Sequence, residues 1–298
     1  MNEKITELKN PLSSKLDLMS TNQIVELINN EDSKISLVIK ELIPLISDLI
    51  DKIVQNIKNG GRLIYVGSGT SGRLGVLDAS ECPPTFSVKK SLVIGIISGG
   101  KNALHTSVEG AEDDKNLAKK DIKKYKINKV DTIIGITTSG TTPYVHKFLE
   151  ESKKIGSYTS ILTSNKISKK HYIDKHIKFI VGPEILSGST RMKAGTATKM
   201  ILNIISTTTM IKLNKVYKNY MVDLKVSNKK LNKRALNMIS EITDLNIFES
   251  TKLIKQSHGN VKNAILMHFK KITYDESCLV LKKNNDNLRE SLNKKLNL

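Results

Sequence analysis

Short apolar runs separated by helix-forming segments dominate the middle of the chain. Five of these runs are rich in β-branched residues and predict buried strands: Leu63–Val66, Leu92–Ile97, Thr132–Ile136, Thr159–Leu162 and Lys178–Val181. Helix-compatible sequence separates each run from the next. Such alternation implies right-handed crossovers and a parallel sheet with helices on both faces. The predicted fold class is therefore α/β, with a doubly wound parallel sheet of about five strands.

Helical periodicity predicts further elements on both sides of the sheet. A helix over Asn22–Asn30 can be capped by Ser20, and a second helix over Lys34–Lys58 should bend at Pro44. The helices expected after the sheet are Lys193–Leu213, Lys229–Ile242 and two or three short amphipathic helices from Ile247 onward. The predicted domains are an N-terminal helical segment (1–50), a sheet domain (51–220) and a C-terminal helical module (221–298).

Composition narrows the class of protein. With 298 residues and 39% hydrophobic content, the chain can bury a sizeable core, which must be aliphatic because aromatic residues make up only 4%. The formal net charge of +19 raises the question of nucleic-acid binding. Its lysines are scattered along predicted helices, without a dense block or interleaved aromatic residues. We expect solvated lysine-rich faces and no nucleic-acid partner.

The spacing of the cysteines and the hydropathy of the chain indicate its cellular compartment and whether a metal site is expected. Cys82 and Cys278 lie far apart, with no Cys or His companion at a metal-ligand spacing. Neither a disulfide framework nor a metal site is expected. The chain starts without the apolar stretch of a signal peptide, and no run is long and apolar enough to span a membrane. We expect a cytoplasmic protein with no membrane association.

A glycine-rich loop, Gly67–Gly72, follows the first predicted strand. It fits G-x-G-x-x-G, but the dinucleotide fingerprint also needs an acidic residue after the next strand, which ends Ile97-Ser98-Gly99-Gly100. It also fits the first part of a Walker A loop, although Arg73-Leu74 stands where Lys-Ser/Thr is required. Both nucleotide interpretations are weakened, and a structural turn with incidental serines remains open.

Hydroxyl groups favour a phosphate ester instead. Ser68, Thr70 and Ser71 lie on the glycine-rich loop, and hydroxyl and amide donors can saturate phosphate oxygens without a metal. The loops after the third and last strands carry Ser139 and Ser189 in similar Ser/Thr/Gly sequences. Ligands of open parallel sheets bind outside the carboxyl ends of the strands. The three loops therefore predict one crevice for a phosphorylated sugar.

Two acidic segments follow the first two strands. Glu81 precedes Pro83 and Pro84, which should break the first crossover helix and present this carboxylate to a ligand. Glu109 and Glu112 would share a helix face if a helix continued through Gly110. Each of these acidic segments can also be explained as a solvated helix end without a catalytic role. No Ser-His-Asp arrangement is recognisable.

Together these residues resemble the N-acetylmuramic acid 6-phosphate etherase family of the sugar isomerase (SIS) superfamily. The segments that carry the resemblance are Ile28–Asp32, Gly61–Thr85, Val108–Asp113, Ser187–Thr196 and Asn219–Asp223. The resemblance implies cleavage of a lactyl ether to N-acetylglucosamine 6-phosphate and D-lactate, by elimination and syn hydration, without cofactor or metal. It also implies a homodimer.

By this resemblance Glu81 is the catalytic acid and Glu112 the second catalytic group, acting as base. The acid role requires a protonated Glu81, which an apolar or like-charged setting would favour. Phosphate and sugar binding carry over to Ser68, Thr70, Ser71, Ser139 and Ser189. Family members usually carry a basic residue where this chain has Thr141. If that basic residue helps to hold the phosphate or the carboxylate of the substrate, affinity should be lower here or another lysine must substitute.

Two other functions of related proteins remain as alternatives. A non-catalytic sugar-phosphate sensor of the glucokinase-regulatory-protein type would bind the ligand without cleaving it. Glu81 and Glu112 favour an enzyme over this sensor, which carries a doubled sugar-binding unit. A phosphosugar aldose–ketose isomerase is the other alternative, but the sequence Ser80-Glu81-Cys82-Pro83-Pro84 does not belong to that branch.

Overall fold

The five apolar runs form one parallel sheet in the computed structural model, which describes residues 4–224 and 229–294. The strands are β1 (Leu63–Gly67), β2 (Val93–Ile97), β3 (Thr132–Ile136), β4 (Tyr158–Thr163) and β5 (Lys175–Lys178). Their order is β2-β1-β3-β4-β5, and every neighbouring pair is parallel. The predicted α/β fold class is confirmed. Because β2 and β3 lie on opposite sides of β1, the chain changes direction across the sheet there, which is where such folds bind ligands.

Seven helices accompany the strands along the chain up to residue 212. They are α1 (Thr21–Asp32), α2 (Ile35–Lys40), α3 (Ile43–Lys58), α4 (Gly69–Phe86), α5 (Lys115–Lys124), α6 (Pro143–Ile155) and α7 (Lys193–Lys212). Short 3-10 turns lie at Ile5–Glu7, Pro11–Ser13, Leu16–Leu18 and Gly100–Leu104.

The two faces of the sheet are covered by different helices. Ile64 and Val66 point to one face, where they share a buried cluster with residues of α5 and α6. On the other face α4 lies directly on β2. A Cβ atom at Gly95 would stand 2.4 Å from the Cα of Val76, so a side chain at this position would push the helix off the sheet. This close approach packs the middle of α4 against β2.

The N-terminal helices differ from the prediction at Pro44. Ser20 caps α1 as expected, with Gln23 completing a capping box. The single bent helix predicted over Lys34–Lys58 is wrong, because the chain forms two helices that are interrupted at residues 41 and 42. Pro44 lies in the first turn of α3, where its missing N–H group has no helical partner to lose.

The prediction for the last strand is also wrong in its bounds. Phe179 and Val181 are buried and apolar, which made residues 178–181 resemble a strand. The ladder with β4 covers Lys175–Lys178 instead, and the Phe179 amide makes one further bond to the carbonyl of Thr163. The apolar residues after Lys178 are therefore buried without belonging to a strand.

The chain divides into two compact units. The first comprises residues 1–80 and 90–206, and the second comprises residues 81–89 and 207–298. The predicted three-part division into 1–50, 51–220 and 221–298 stays a prediction. The later helices are α8 (Lys229–Thr243), α9 (Ile247–Gln256), α10 (Val261–Lys270), α11 (Tyr274–Lys283) and α12 (Leu288–Asn293). Within the described residues, four helices begin at or after Ile247, where two or three were predicted.

A buried lysine organises the second unit beside its aliphatic core. The Lys262 ammonium contacts the Asp223 carboxylate at 2.8 Å and donates to the carbonyls of Asn214 and Asp286. Burial lowers the pKa of Lys262, and the Asp223 charge opposes that effect. Asp223 closes the Asn219–Asp223 motif, so this part of the family pattern has a structural role. In the part of the chain that the structure describes, no helix has the length and apolarity that a bilayer crossing needs.

Candidate active site

The glycine-rich loop folds as predicted, with its backbone turned tightly between β1 and α4. Gly69 has φ 52° and begins α4. A Cβ atom at Gly72 would lie 2.8 Å from the carbonyl oxygen of Gly67 and 2.6 Å from a side-chain carbon of Ile97. Only glycine therefore allows this turn to pack against the sheet. The turn directs the hydroxyl of Ser68 into a cavity at the carboxyl ends of β1 and β2.

This cavity has a volume of about 300 Å³ and lies within the first unit. The polar side chains that line it are Ser68, Arg73, Ser98, Ser107, Glu109 and Glu112. Ser98 is buried, and its hydroxyl donates to the Ser68 hydroxyl at 2.7 Å. Because Ser98 is the residue directly after β2, its amide also reaches the carbonyl of Gly67 at 3.0 Å. A hydroxyl pair therefore spans the ends of the two strands.

Arg73 brings a permanent positive charge to the same cavity. Its guanidinium donates to the carbonyls of Leu104 and Thr106, at 3.3 and 3.4 Å. These bonds hold it against the loop after β2 and use two of the five donors that a guanidinium carries. The first turn of α4 lies beside it, where helix amides and the helix dipole also favour anions. This wall of the cavity suits a negatively charged ligand group.

Glu112, on the loop before α5, lines the same cavity. The predicted helix through Gly110 is wrong, because Gly110 has φ 72° and residues 109–113 form turns. Glu109 and Glu112 nevertheless both line the cavity, and both side chains are exposed. The backbone carbonyl of Glu112 accepts a bond from the amide of Tyr144 at 2.9 Å. That bond anchors the acidic loop to the first turn of α6.

The loop after β3 forms a network of hydroxyl groups. Thr137 bonds to Thr142 at 2.8 Å, and Ser139 bonds to Thr141 at 3.1 Å. The ring of His146 bonds through Nε2 to the carbonyl of Gly140 at 2.8 Å. Because a carbonyl only accepts, this nitrogen carries the proton.

The loop after β5 is held by a buried carboxylate. Glu184 accepts bonds from the first amides of α7, those of Lys193 and Ala194, at 3.0 and 2.9 Å. Burial raises the pKa of Glu184, although these amide bonds and the Lys193 charge oppose the shift. The half-buried Ser189 precedes this helix start. The methyl group of Thr70 also faces it, 3.8 Å from where a Cβ atom of Gly195 would stand.

The structure thus brings two predicted site residues, Ser68 and Glu112, into one cavity. The other predicted hydroxyl residues lie at the same edge of the sheet but do not line this cavity: Thr70, Ser71, Ser139 and Ser189. Sequence reasoning missed Arg73 and Ser98 as site residues. Arg73 was noted only because it stands where a P-loop needs a lysine. Ser98 was noted only because the segment after β2 lacks a ribose-binding acidic residue.

Glu81 differs from its prediction in its surroundings. The two prolines do not break α4, which continues to Phe86, so Glu81 lies within a helix and not at a chain reversal. Its side chain is exposed. Its catalytic role stays a prediction.

Comparison with known proteins identifies the family. The chain is 48% identical to N-acetylmuramic acid 6-phosphate etherase of Clostridium botulinum, over 96% of each chain. It is 44% identical to N-acetylmuramic acid 6-phosphate etherase 2 of Vibrio cholerae, over 97% of this chain and 94% of that protein. The chain belongs to the N-acetylmuramic acid 6-phosphate etherase family.

Two family models match parts of this etherase-family chain. The glucokinase regulatory protein N-terminal SIS domain matches residues 45–153, which include every residue that lines the cavity. The C-terminal lid domain of glucokinase regulatory protein matches residues 218–286, within the second unit. Among the described residues no group of three or more His, Cys, Asp and Glu side chains is placed to bind a metal.

Proposed function

We propose that this chain cleaves the D-lactyl ether of N-acetylmuramic acid 6-phosphate, giving N-acetylglucosamine 6-phosphate and D-lactate in amino-sugar and cell-wall recycling. The observation that carries the proposal is the cavity, in which the Glu112 carboxylate shares walls with Arg73 and the Ser68–Ser98 hydroxyl pair. Relatives of this name at 44% and 48% identity support the reaction. The cavity supplies a carboxylate base beside groups that bind an anion.

The chemistry needs one base and one acid. Opening of the sugar to its aldehyde makes the proton on C2 acidic, and the Glu112 carboxylate removes it. The bond from C3 to the lactyl oxygen then breaks, and an acid protonates the departing lactate. Water adds to C3 of the unsaturated aldehyde, C2 regains a proton, and the net reaction is a hydrolysis. Glu112 is proposed as the base, and Glu81 as the acid on the family resemblance.

The substrate carries two anionic groups that need separate sites. The lactyl carboxylate is attached near C3, beside the atoms on which Glu112 acts, whereas the phosphate is on C6 at the far end of the sugar. Arg73 lies in the cavity with Glu112 and suits the carboxylate. The remaining hydroxyl loops at this edge of the sheet, with Thr70, Ser71, Ser139 and Ser189, suit the phosphate. Ser68 then contacts the sugar between them.

A lactate-release assay tests the proposal against the sensor alternative. Purified protein is incubated with N-acetylmuramic acid 6-phosphate, and D-lactate is measured together with binding of N-acetylglucosamine 6-phosphate by calorimetry. We expect release of one D-lactate for each substrate consumed. Phosphosugar binding by folded protein without lactate release would replace the etherase with the non-catalytic sensor.

Variants test the two catalytic assignments. Glu112→Gln and Glu81→Gln should each lower kcat at least about 100-fold, since a positioned acid or base contributes about 10²–10⁴. Binding of N-acetylglucosamine 6-phosphate should change little. Asp113→Asn is the matched control, because Asp113 is an exposed neighbour on the same loop that does not line the cavity. A near-normal rate for Glu112→Gln, with a large loss for Glu109→Gln, would move the base to Glu109.

A homodimer in the cytoplasm completes the proposal. Leu77 on α4 and Ile204 on α7 are exposed apolar side chains, and a hydrogen bond from Asn203 to Asp78 links residues next to them. A second copy of the chain is proposed to cover these two side chains. Sedimentation equilibrium should give twice the chain mass of 33.2 kDa. A monomer at micromolar concentration would reject the dimer and leave the proposed reaction standing.

A further inference from the structure

The N-terminal residues lie along the carboxyl edge of the sheet and are held there by buried polar contacts. Thr6 and Asn165 are both almost fully buried, and they exchange two hydrogen bonds, at 3.0 and 3.4 Å. Asn165 also donates to the carbonyl of Thr138, at the start of the hydroxyl loop after β3. Asn10, likewise buried, bonds to Glu31 and to the carbonyl of Pro183. These contacts fix residues 6–10 against the loops after β3, β4 and β5.

This anchoring places the side chain of Lys4 on the hydroxyl loop. The Lys4 ammonium donates to the Thr141 hydroxyl at 3.1 Å, and Thr141 bonds in turn to Ser139 at 3.1 Å. Lys4 is exposed and takes part in no ion pair among the described residues. A neutral hydroxyl leaves its charge uncompensated. The ammonium is therefore available to an anion bound at Ser139.

The loop itself favours an anion at the same place. Thr142 occupies the N-cap position of α6, but its hydroxyl bonds to Thr137 and does not cap the helix. The positive end of a helix of 13 residues therefore faces the loop without a side-chain cap. This is an observation separate from Lys4, and both point to negative charge beside Ser139.

We infer that Lys4 binds the phosphate of the substrate, by supplying the positive charge that the hydroxyl loop 137–142 does not itself carry. The inference rests on the proposed function for the identity of the ligand. Because the C6 phosphate is the anionic group remote from C2 and C3, it is the group assigned to this loop and not to the Arg73 cavity. Lys4 is thus a binding residue contributed by the N-terminal segment, and it takes no part in proton transfer.

Binding titrations with charge variants test the inference. Lys4→Met should weaken binding of N-acetylglucosamine 6-phosphate and of inorganic phosphate about tenfold, as expected for one exposed charge-assisted hydrogen bond. Lys4→Arg should restore most of the affinity. Lys9→Met is the matched control, because Lys9 is an exposed lysine of the same segment and this substitution removes the same charge. The KM for N-acetylmuramic acid 6-phosphate should rise in Lys4→Met while kcat stays within about twofold.

Moving the positive charge from Lys4 to another residue of the loop distinguishes an effect on phosphate binding from an effect on folding. In the double variant Lys4→Met with Thr141→Lys, the cation returns to the same loop from a different backbone position, so phosphate affinity should recover. The midpoint of thermal unfolding should be the same for wild type and Lys4→Met. Equal loss in Lys4→Met and Lys9→Met, or unchanged affinity in Lys4→Met, would overturn the inference. Weaker binding of D-lactate alone would do so as well, by assigning Lys4 to the carboxylate.

The two proposals fail in different ways. If the protein binds the phosphosugar but releases no lactate, the etherase activity is rejected. The Lys4 inference is then decided by the binding titrations alone. Failure of wild-type protein to bind either phosphosugar or inorganic phosphate rejects the Lys4 inference directly. Normal lactate release with a KM that Lys4→Met does not alter rejects only Lys4.

Discussion

Two lysines bind the same carboxylate in the first unit, and their burial predicts very different energetic roles. Lys193 and Lys34 each form an ion pair with Glu31, whose side chain is 5% exposed. The Lys193 side chain is 4% exposed and the Lys34 side chain is 58% exposed. Removing one partner of a buried pair costs about 3–5 kcal/mol, because the other charge stays buried without compensation. An exposed pair is worth about 0–1 kcal/mol.

Lys193→Met should therefore lower the free energy of unfolding of the first unit by about 3 kcal/mol, the lower end of that range, since Lys34 still contacts Glu31. Lys34→Met should cost under about 1 kcal/mol. Urea unfolding followed by circular dichroism measures both. Methionine keeps most of the aliphatic stem, so the comparison isolates the charge. The double variant Glu31→Gln with Lys193→Met should be more stable than Lys193→Met alone. Equal losses in the two single lysine variants would refute the argument from burial.

The pH dependence of the same pair has a definite sign. Burial acts to raise the pKa of Glu31, but the Lys193 and Lys34 ammonium groups outweigh it and hold the pKa below the usual value. The stabilisation is therefore present above pH 4.5 and lost as the pH falls through the lowered pKa. The difference in unfolding free energy between wild type and Glu31→Gln should shrink over that acidic range. A difference that grows on acidification would contradict this assignment.

Two further predictions concern the sheet and the start of α7. Gly95→Ala should destabilise the protein by about 1–3 kcal/mol through overpacking, whereas Gly195→Ala, with its nearest heavy atom 3.4 Å away, should be nearly neutral in thermal unfolding. Because the pKa of Glu184 is raised, its effect on stability depends on pH in the opposite direction to that of Glu31. The contribution of Glu184 to the free energy of unfolding is fully present below pH 4.5 and is lost as the pH rises through the raised pKa. Relative to wild type, Glu184→Gln should therefore gain stability in urea titrations as the pH rises above 4.5, and a relative loss would refute the sign.

Local patterns in the sequence were enough to predict the central strands, because β1 and β3 are short and buried along their whole length. The bounds of β3 match the prediction at both ends. The predicted bounds of β5 are wrong because Phe179 and Val181 are buried and apolar without belonging to the strand, and sequence alone does not distinguish a buried residue in a strand from one outside it. Pro44 was misjudged for a similar reason. A proline within an apolar stripe is compatible with a bend or with a new helix start, and only packing decides.

The site was predictable only where a residue's function follows from its own loop. Ser68 was singled out from the glycine-rich turn and lines the cavity, while its role in binding stays a prediction. Ser98 could have been found from the rule that site residues follow parallel strands, because it is the residue directly after β2. Arg73 and Lys4 could not, since their positions depend on carbonyls more than 30 residues away and on a buried Thr6–Asn165 contact. Such contacts are set by tertiary structure alone.

The overall charge of the chain sharpens the argument for Lys4. A net charge of +19 attracts any anion and accelerates its encounter with the protein, but salt screens this attraction over about 8–10 Å. Lys4→Met changes the net charge from +19 to +18, a small fraction of the total. The long-range field is almost the same in that variant, and Lys9→Met alters it by the same amount. A tenfold loss of phosphate affinity confined to Lys4→Met must therefore come from the contact at Thr141, and a loss shared by both variants must come from the field.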